Sequence, residues 1–386
     1  MRDAVIVDAI RTPGGKRNGQ LRDWHPVSLA AFVLNTLVQR NDLDPALIDD
    51  VIMGCTMQVG EQAMNIARNS VLAAGWPESI PGTTIDRQCG SSQQAMHFAA
   101  QGVMAGAYDV VVAAGVESMT RVPMFSSWTD IGNPWAPEQL ARYSLTEAPN
   151  QGIGSEMIAD EYGLTRLDLD QFSVQSQLRA ALATKEGRFE NEILPIPIDF
   201  GDGVKLATRD EGIREGTTTE TLGTLKPSFV EGGKVTAGNS SQICDGASAV
   251  LIMSSQKAAE LGLRPRARFH AFALAGADPV TMLKGPIPAT AKILAKSGLT
   301  LDDIDLVEIN EAFASVVLVW QKATGADLSK VNPNGGAIAL GHPLGSTGTK
   351  LMATLLNELE RTKGRYGLQV ICEGGGMANA TIIERI

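Results

Sequence analysis

A cysteine attacks carbon only as a thiolate, and the run DRQCGSSQQAMHFAAQG at 86–102 places Cys89 where a thiolate would be favoured. Ser91-x-x-Gln94 reads as a capping box, so a helix is expected to start just after Cys89 and to run over Gln94–Ala107. Free N–H groups and the positive end of the helix dipole would then lower the thiol pKa, and the flanking glycine and serines leave room for a substrate. The plainer alternative is a small, inert, buried cysteine. A second cluster, NPNGGAIALGHPLGSTGTK at 332–350, surrounds His342 with seven glycines or prolines and precedes a helix over Lys350–Glu360. Glycines let backbone approach a ligand closely, so this histidine reads as a base. Cys372 ends a strand in VICEGGGMANA at 370–380, and the bare N–H groups of the glycine turn could hold an oxyanion. A second thiol there could give and take protons, since its ordinary pKa of about 8.5 lies near working pH. Asn310 and Glu311, in EINEAFAS at 308–315, follow another buried strand, where polar groups must be used, hydrogen-bonded or capping the next helix.

The remaining candidates carry less. Cys55 and Cys244 lack a glycine setting and read as structural; His25, His97 and His270 read as core or surface residues. Four scattered cysteines exclude a disulfide framework, and no C-x-x-C pair points to zinc, so no metal is expected. The glycine-rich run has no Gly-Lys-Ser/Thr and no G-x-G-x-x-G after a strand, which argues against a nucleotide cofactor. Of 386 residues, 44% are hydrophobic and 20% charged, enough for two or three packed units with a large core. A net charge of −10 argues against nucleic acid or an anionic membrane as partner. The N-terminus lacks a signal-peptide core, and no apolar run reaches the roughly 18 residues a bilayer demands, so a reduced cytoplasm is the expected compartment.

Positioning these groups requires an α/β scaffold. Ala4–Val7, Asp50–Met53, Val110–Ala114 and Ala267–Ala273 read as strands. ALIDDVIMG at 46–54 parallels DDIDLVEIN at 302–310, and YDVVVAAGVESM at 108–119 parallels GLQVICEGGGMA at 367–378. The order of elements therefore repeats, and a duplicated fold would bring Cys89 and His342, each ahead of a helix, together at a pseudo-twofold axis. The stretch from about 118 to 245, with one clear helix at Arg166–Lys185, reads as an insertion in the first copy. The apolar strand at 108–118 is expected at an edge that must be paired by another subunit.

Taken together, Cys-Gly-Ser-Ser-x-Gln-Ala at 89–95, Asn-Glu-Ala-Phe at 310–313, the glycine-rich run through Gly-His-Pro-Leu-Gly at 335–345 and Cys-x-Gly-Gly-Gly at 372–376 resemble the thiolase family. That resemblance implies a five-layer αβαβα core of two α/β halves with an inserted loop domain. The halves would be 1–117 plus 246–264 and 265–386, the insertion 118–245. It implies an acyltransferase that cleaves a 3-ketoacyl-CoA with coenzyme A, with Cys89 as nucleophile and His342 as its base. Asn310 would hold a water in one oxyanion hole, Cys372 would be the acid/base, and the Cys89 and Gly374 N–H groups would form a second hole. Ser241, in VTAGNSS at 235–241, would meet the pantetheine, with Ala312 and Phe313 beside it and Arg214 near the adenine. Coenzyme A would be a substrate and no cofactor is implied. A homodimer or homotetramer is implied, and a partner subunit in a β-oxidation complex is compatible. The small-substrate biosynthetic branch carries His-Met-Gly where this chain reads Gln151-Gly152-Ile153-Gly154. Many members have an apolar residue where Glu373 stands. These departures, with Gln93-Gln94, resemble degradative thiolases for larger or steroid-derived esters, and a wider pocket is expected where the histidine is missing. The rival readings are acetoacetyl-CoA synthesis, a decarboxylating ketoacyl synthase, whose second histidine is replaced by Asn310, and a non-catalytic CoA or lipid carrier.

Overall fold

The protein is described by a computed structural model covering residues 2–129, 131–199, 201 and 203–386. Nine strands form its main sheet: Ala4–Arg11 (β1), Asp50–Gly54 (β2), Gly82–Ile85 (β3), Val110–Ser118 (β4), Cys244–Ser254 (β5), Ala267–Gly276 (β6), Leu306–Ile309 (β7), Tyr366–Glu373 (β8) and Met377–Arg385 (β9). Their spatial order is β7-β8-β9-β6-β1-β5-β4-β2-β3, with the short strand Gly15–Lys16 added on β5. Within this order the duplication is explicit. β2 and β4 are parallel, and β5 and β1 follow antiparallel. In the second half β7 and β8 are parallel, and β9 and β6 follow antiparallel in the same sequence. The halves meet where Val5 and Ile6 pair with Arg268 and Ala267.

Strand side chains alternate between faces, and here both faces are covered, which explains the near-continuous apolar runs. Val110, Val112 and Ala114 of β4 pack toward the outer helices Pro26–Arg40 (α1) and Ile66–Ala73 (α2), with Leu34, Leu37, Ile66 and Val71. Val111 and Ala113 face the middle layer. That layer consists of helices Ser91–Ala105 (α3) and Thr347–Thr362, whose Ala95, Ala99, Met352 and Leu356 also meet Phe269 and Ile383 of the second half. Beyond the second half lie Pro286–Ser297 and Ala314–Thr324, contributing Ala289, Ile293, Val317 and Trp320. The result is an αβαβα sandwich, the layering that the sequence resemblance implied. The two middle helices approach so closely that a Cβ on Gly348 would stand 2.0 Å from the Gln93 nitrogen. Among the described residues, no strand of the main sheet lies between β4 and β5 in the sequence. That stretch holds the helices Gln151–Glu161 and Arg166–Lys185 and the hairpin Ile196–Asp199/Val204–Ala207.

Two expectations are corrected here. The strand at 108–118 is no edge: β4 lies between β2 and β5, paired on both sides within the chain. The true edges are β3 and β7. Nor do Ser91 and Gln94 form a capping box. Gly90 is the N-cap without a side-chain bond, and the Ser91 hydroxyl turns back to accept from the Arg87 N–H and donate to the Gln88 carbonyl.

His25 caps α1, accepting from the Val27 N–H at 3.3 Å. His97 is fully buried in α3, its Nε2 2.7 Å from the Thr381 hydroxyl, and burial pushes its pKa down to about 3. The unfolded chain therefore takes up a proton near pH 6.5 that the fold refuses, so this group's contribution to stability is full above pH 6.5 and is lost as pH falls toward 3. Relative to His97→Gln, wild type is expected to lose about 1.4 kcal/mol per pH unit between pH 6 and 4, measured by urea unfolding. A pH-independent difference would contradict this.

Candidate active site

Three loops converge at the carboxyl ends of β7 and β8. Cys89, 4% exposed, stands one residue ahead of the α3 N-cap and packs against Met119, Leu344, Leu351 and Ile371. The preceding Gln88 holds φ at +49°, a left-handed conformation of the kind found where a site imposes its geometry. The Cys89 sulfur is faced by its own N–H, by the Gly374 N–H and by the Gln151 amide. Despite these donors, burial, helped by the nearby Glu373 carboxyl, pushes the thiol up to about 12. The expected low pKa is thus overturned: desolvation outweighs the helix terminus, and the resting sulfur is a thiol that needs a base. The room expected beside Cys89 is also taken, since a Cβ on Gly90 would fall 1.9 Å from Glu373 Oε1.

His342 supplies a neutral imidazole. Its Nδ1 lies 2.6 Å from Thr347 Oγ1, and that hydroxyl donates to the Pro343 carbonyl at 3.0 Å. The hydroxyl must therefore accept from the ring, which puts the hydrogen on Nδ1 and makes Nε2 an acceptor. Nε2 faces the Asn310 amide at 3.3 Å, while Asn310 Oδ1 is buried without a partner among the described residues. Burial, then Lys350, pushes the His342 pKa down to about 3. Its loop is clamped from several sides. Lys350 Nζ donates to the carbonyls of Leu340 and Gly341 at 2.7 and 2.6 Å, and the His342 N–H donates to the Gln242 carbonyl at 3.0 Å. Glu311 does not cap the next helix, whose N-cap is Phe313; it accepts from Ser176, Asn332 and the Ile338 N–H and so holds the turn before His342. Glu117, buried at the end of β4, accepts from the N–H groups of Thr56, Met57 and Gly345 and from Gln62, tying Cys55's loop to His342's.

Cys372, fully buried near the end of β8, feels Cys89: after burial, that sulfur is the largest influence raising its pKa. The Asn310 N–H donates to the Val370 carbonyl on the same strand at 3.0 Å, which places Asn310 beside Ile371, one residue before Cys372. The structure therefore groups Cys89, Gly374 and Cys372, pairs Asn310 with His342, and joins the two sets through β8 and Leu344. Cys55 and Cys244 are buried behind the His342 loop, Cys55 near Glu117 and Gly345 and Cys244 against Gly341. Sequence reasoning passed over Glu117, Thr347, Lys350 and the contact of Gln151. A carboxylate ending an otherwise apolar strand was the one signal that could have flagged Glu117.

Ser241, Ala312 and Phe313 also come together. The Ser241 N–H donates to the Ala312 carbonyl at 2.9 Å, and Ser240 bridges to Phe313. Phe313 meets Phe229 edge-on at 6.0 Å between ring centroids. Phe229 also overturns the expected widening at 152, because a Cβ on Gly152 would meet its ring at 2.2 Å. Arg214 stands apart, lining a cavity of about 550 Å³ with Gln177, Leu182, Lys185 and Arg209. None of the other three lines that cavity.

A buried thiol beside two N–H donors, a neutral imidazole and a second thiol is an arrangement suited to acyl transfer through a sulfur. The comparisons agree: residues 4–256 match the thiolase N-terminal domain and 263–385 the thiolase C-terminal domain. The chain belongs to the thiolase family and is an acyltransferase. It is 52% identical over 394 residues to the steroid 3-ketoacyl-CoA thiolase FadA6 of Mycobacterium tuberculosis, covering 100% of this chain and 95% of that one. It is 46% identical over 393 residues to the 3-ketoacyl-CoA thiolase of Pseudoalteromonas translucida, covering all of both chains. Among solved structures it resembles the Bacillus anthracis acetyl-CoA acetyltransferase (TM-score 0.92, 38% identity) and human mitochondrial 3-ketoacyl-CoA thiolase (TM-score 0.91, 36% identity). Each of these covers 100% of this chain and 99% of the other. No helix among the described residues is long and apolar enough to cross a membrane.

Proposed function

We propose that the protein cleaves 3-ketoacyl-CoA esters with coenzyme A, giving acetyl-CoA and a shortened acyl-CoA through an acyl group carried on Cys89. The observation that carries this reading is the Cys89 sulfur set against the Cys89 and Gly374 N–H groups with the Cys372 thiol on the adjoining strand. His342 Nε2 takes the Cys89 proton, and the thiolate attacks the 3-keto carbon. The new Nε2–H, with a water held by Asn310, then donates to a thioester oxygen. As the bond between C2 and C3 breaks, Cys372 gives its proton to the departing acetyl-CoA carbanion. Cys372 next takes the proton of incoming coenzyme A, whose thiolate attacks the acyl carbon while Cys89 and Gly374 hold the oxyanion. The Cys89 thiolate leaves and recovers its proton from His342. Each oxyanion donor is worth about 3 kcal/mol. Side chains and backbone carry every step, so no metal or redox cofactor enters the reading.

Ser241, Ala312 and Phe313 are assigned to the pantetheine and Arg214 to the nucleotide end. The loop-domain boundaries 118–245 and the halves 1–117 plus 246–264 and 265–386 are kept as the working division. Four free thiols suit a reducing compartment such as the cytoplasm. A homodimer or homotetramer is favoured by the open edge of β3 and the neighbouring Met64, 88% exposed. A place in a multienzyme β-oxidation complex fits the same chemistry.

Larger or steroid-derived esters are favoured by the identity to the steroid thiolase, not by empty space at Gly152. A panel of 3-ketoacyl-CoA esters of graded size, assayed for thiolysis with light scattering on the same samples, tests this. Medium or bulky esters are expected to show the higher kcat/KM, on a dimer or tetramer. A preference for acetoacetyl-CoA would favour the biosynthetic reading, and an active monomer would defeat the assembly.

A further inference from the structure

Glu373 ends β8 with no exposed surface, and strand alternation turns its side chain from that of Cys372 toward the middle layer. Its carboxyl lies against the start of α3. A Cβ on Gly90, the N-cap, would fall 1.9 Å from Oε1 and 2.8 Å from the carboxyl carbon. Gly90 follows Cys89 directly, so the sulfur and the carboxyl flank one helix end. Oriented by its own hydrogen bonds, the Asn379 amide of β9 donates to Glu373 Oε1 at 2.6 Å and accepts from the Gln94 N–H at 3.3 Å. Oε2 is buried with no partner among the described residues.

The backbone of the first turn does nothing to offset this burial. The Gly90 N–H donates to the Arg87 carbonyl, that of Ser91 to Gln88 and that of Gln94 to Gly90. Arg87 and Asp86 face the carboxyl from the loop ahead of α3 with opposite charges, Cys89 from the same loop and Cys372 from its own strand. From α3 and β9 it meets the uncharged Gln94 and Asn379. A carboxylate with one neutral partner and no water is costly, so the group is held as an acid. Burial pushes its pKa up to about 8, with Arg87 restraining the rise and Asp86 adding to it.

A helix N-terminus carries about half a positive charge, felt within its first turn. A neutral carboxyl leaves that charge to a thiolate on Cys89. A carboxylate lying on Gly90 would cancel it and add a repulsion of its own. We propose that Glu373 is a positioning residue that serves the reaction as a neutral acid: protonated, it leaves the α3 terminus to the Cys89 thiolate, and ionised, it shuts the nucleophile off. The inference rests on the thiolase reading of Cys89. Two anions at one helix end titrate against each other, so a rise in pH that removes the Glu373 proton makes the Cys89 proton harder to remove.

The test is the rate of iodoacetamide alkylation at Cys89, located by peptide mapping, on wild type and on Glu373→Gln, a neutral isostere that still accepts from Asn379. Below about pH 7 the two are expected to react equally, because Glu373 is already uncharged there, and equal rates show that the variant is folded. One unit above a pKa of about 8, about one wild-type molecule in eleven keeps the neutral acid, so at about pH 9 Glu373→Gln should react about tenfold faster. If Glu373→Gln does not fold, Glu373→Met, of similar length and equally uncharged, carries the same comparison. Equal rates at the higher pH, or a variant slower at every pH, overturn the role of Glu373. Thiolysis of a 3-ketoacyl-CoA by the same samples separates this from the reading beneath it. Thiolysis without the divergence sinks Glu373 alone, and the divergence without any wild-type thiolysis sinks the thiolase reading alone.

Discussion

Cys89→Ala is expected to lose more than about 10³-fold in thiolysis while folding normally. No other thiol can take its place. Cys55 and Cys244 are buried without the Cys89 and Gly374 N–H groups about them, and Cys372 lacks that pair too. Removing one buried sulfur atom costs stability of only about 1 kcal/mol, so unfolding by urea should barely shift. A variant that retains a tenth of wild-type thiolysis would show that the acyl group travels by another route. A variant that unfolds would instead make Cys89 a packing residue.

Cys372→Ser should separate two steps that Cys89→Ala removes together. A serine hydroxyl keeps the volume but does not exchange protons near neutral pH. With Cys89 and His342 intact, a reactive acyl donor should still acylate Cys89 slowly. Turnover of a 3-ketoacyl-CoA should fall to well below a tenth, because neither the departing carbanion nor the incoming coenzyme A finds its proton partner. The expected signature is a burst of acyl-enzyme followed by near arrest, read by quenched-flow mass spectrometry. Full steady-state turnover would make Cys372 structural.

The candidate site residues were legible because they break local rules: thiols, a histidine and an amide at strand ends and glycine turns. The duplication was legible too, since two copies of one strand order repeat the same apolar pattern, as ALIDDVIMG and DDIDLVEIN show. What failed were inferences that need the third dimension. The pKa of Cys89 depends on how much water burial removes, and the helix terminus ahead of it could not reveal that. Ser91 had two ways to satisfy its hydroxyl, and the turn at Gln88 won. Strand 108–118 looked like an edge because its partner β5 arrives only after the long insertion. The space at Gly152 looked empty because Phe229, which fills it, is distant in sequence. Glu117, Thr347 and Lys350 hold the site through long-range hydrogen bonds that no spacing announces.

The central claim is the covalent acyl group on Cys89, and peptide mass mapping tests it most directly. Wild type is incubated with a 3-ketoacyl-CoA in the absence of free coenzyme A, quenched in acid and digested. The account predicts the mass of the shortened acyl group on the peptide carrying Cys89, and its loss when coenzyme A is added to wild type before the quench. An adduct on the peptide of Cys55, Cys244 or Cys372 instead, or thiolysis with no adduct on any cysteine, would contradict it.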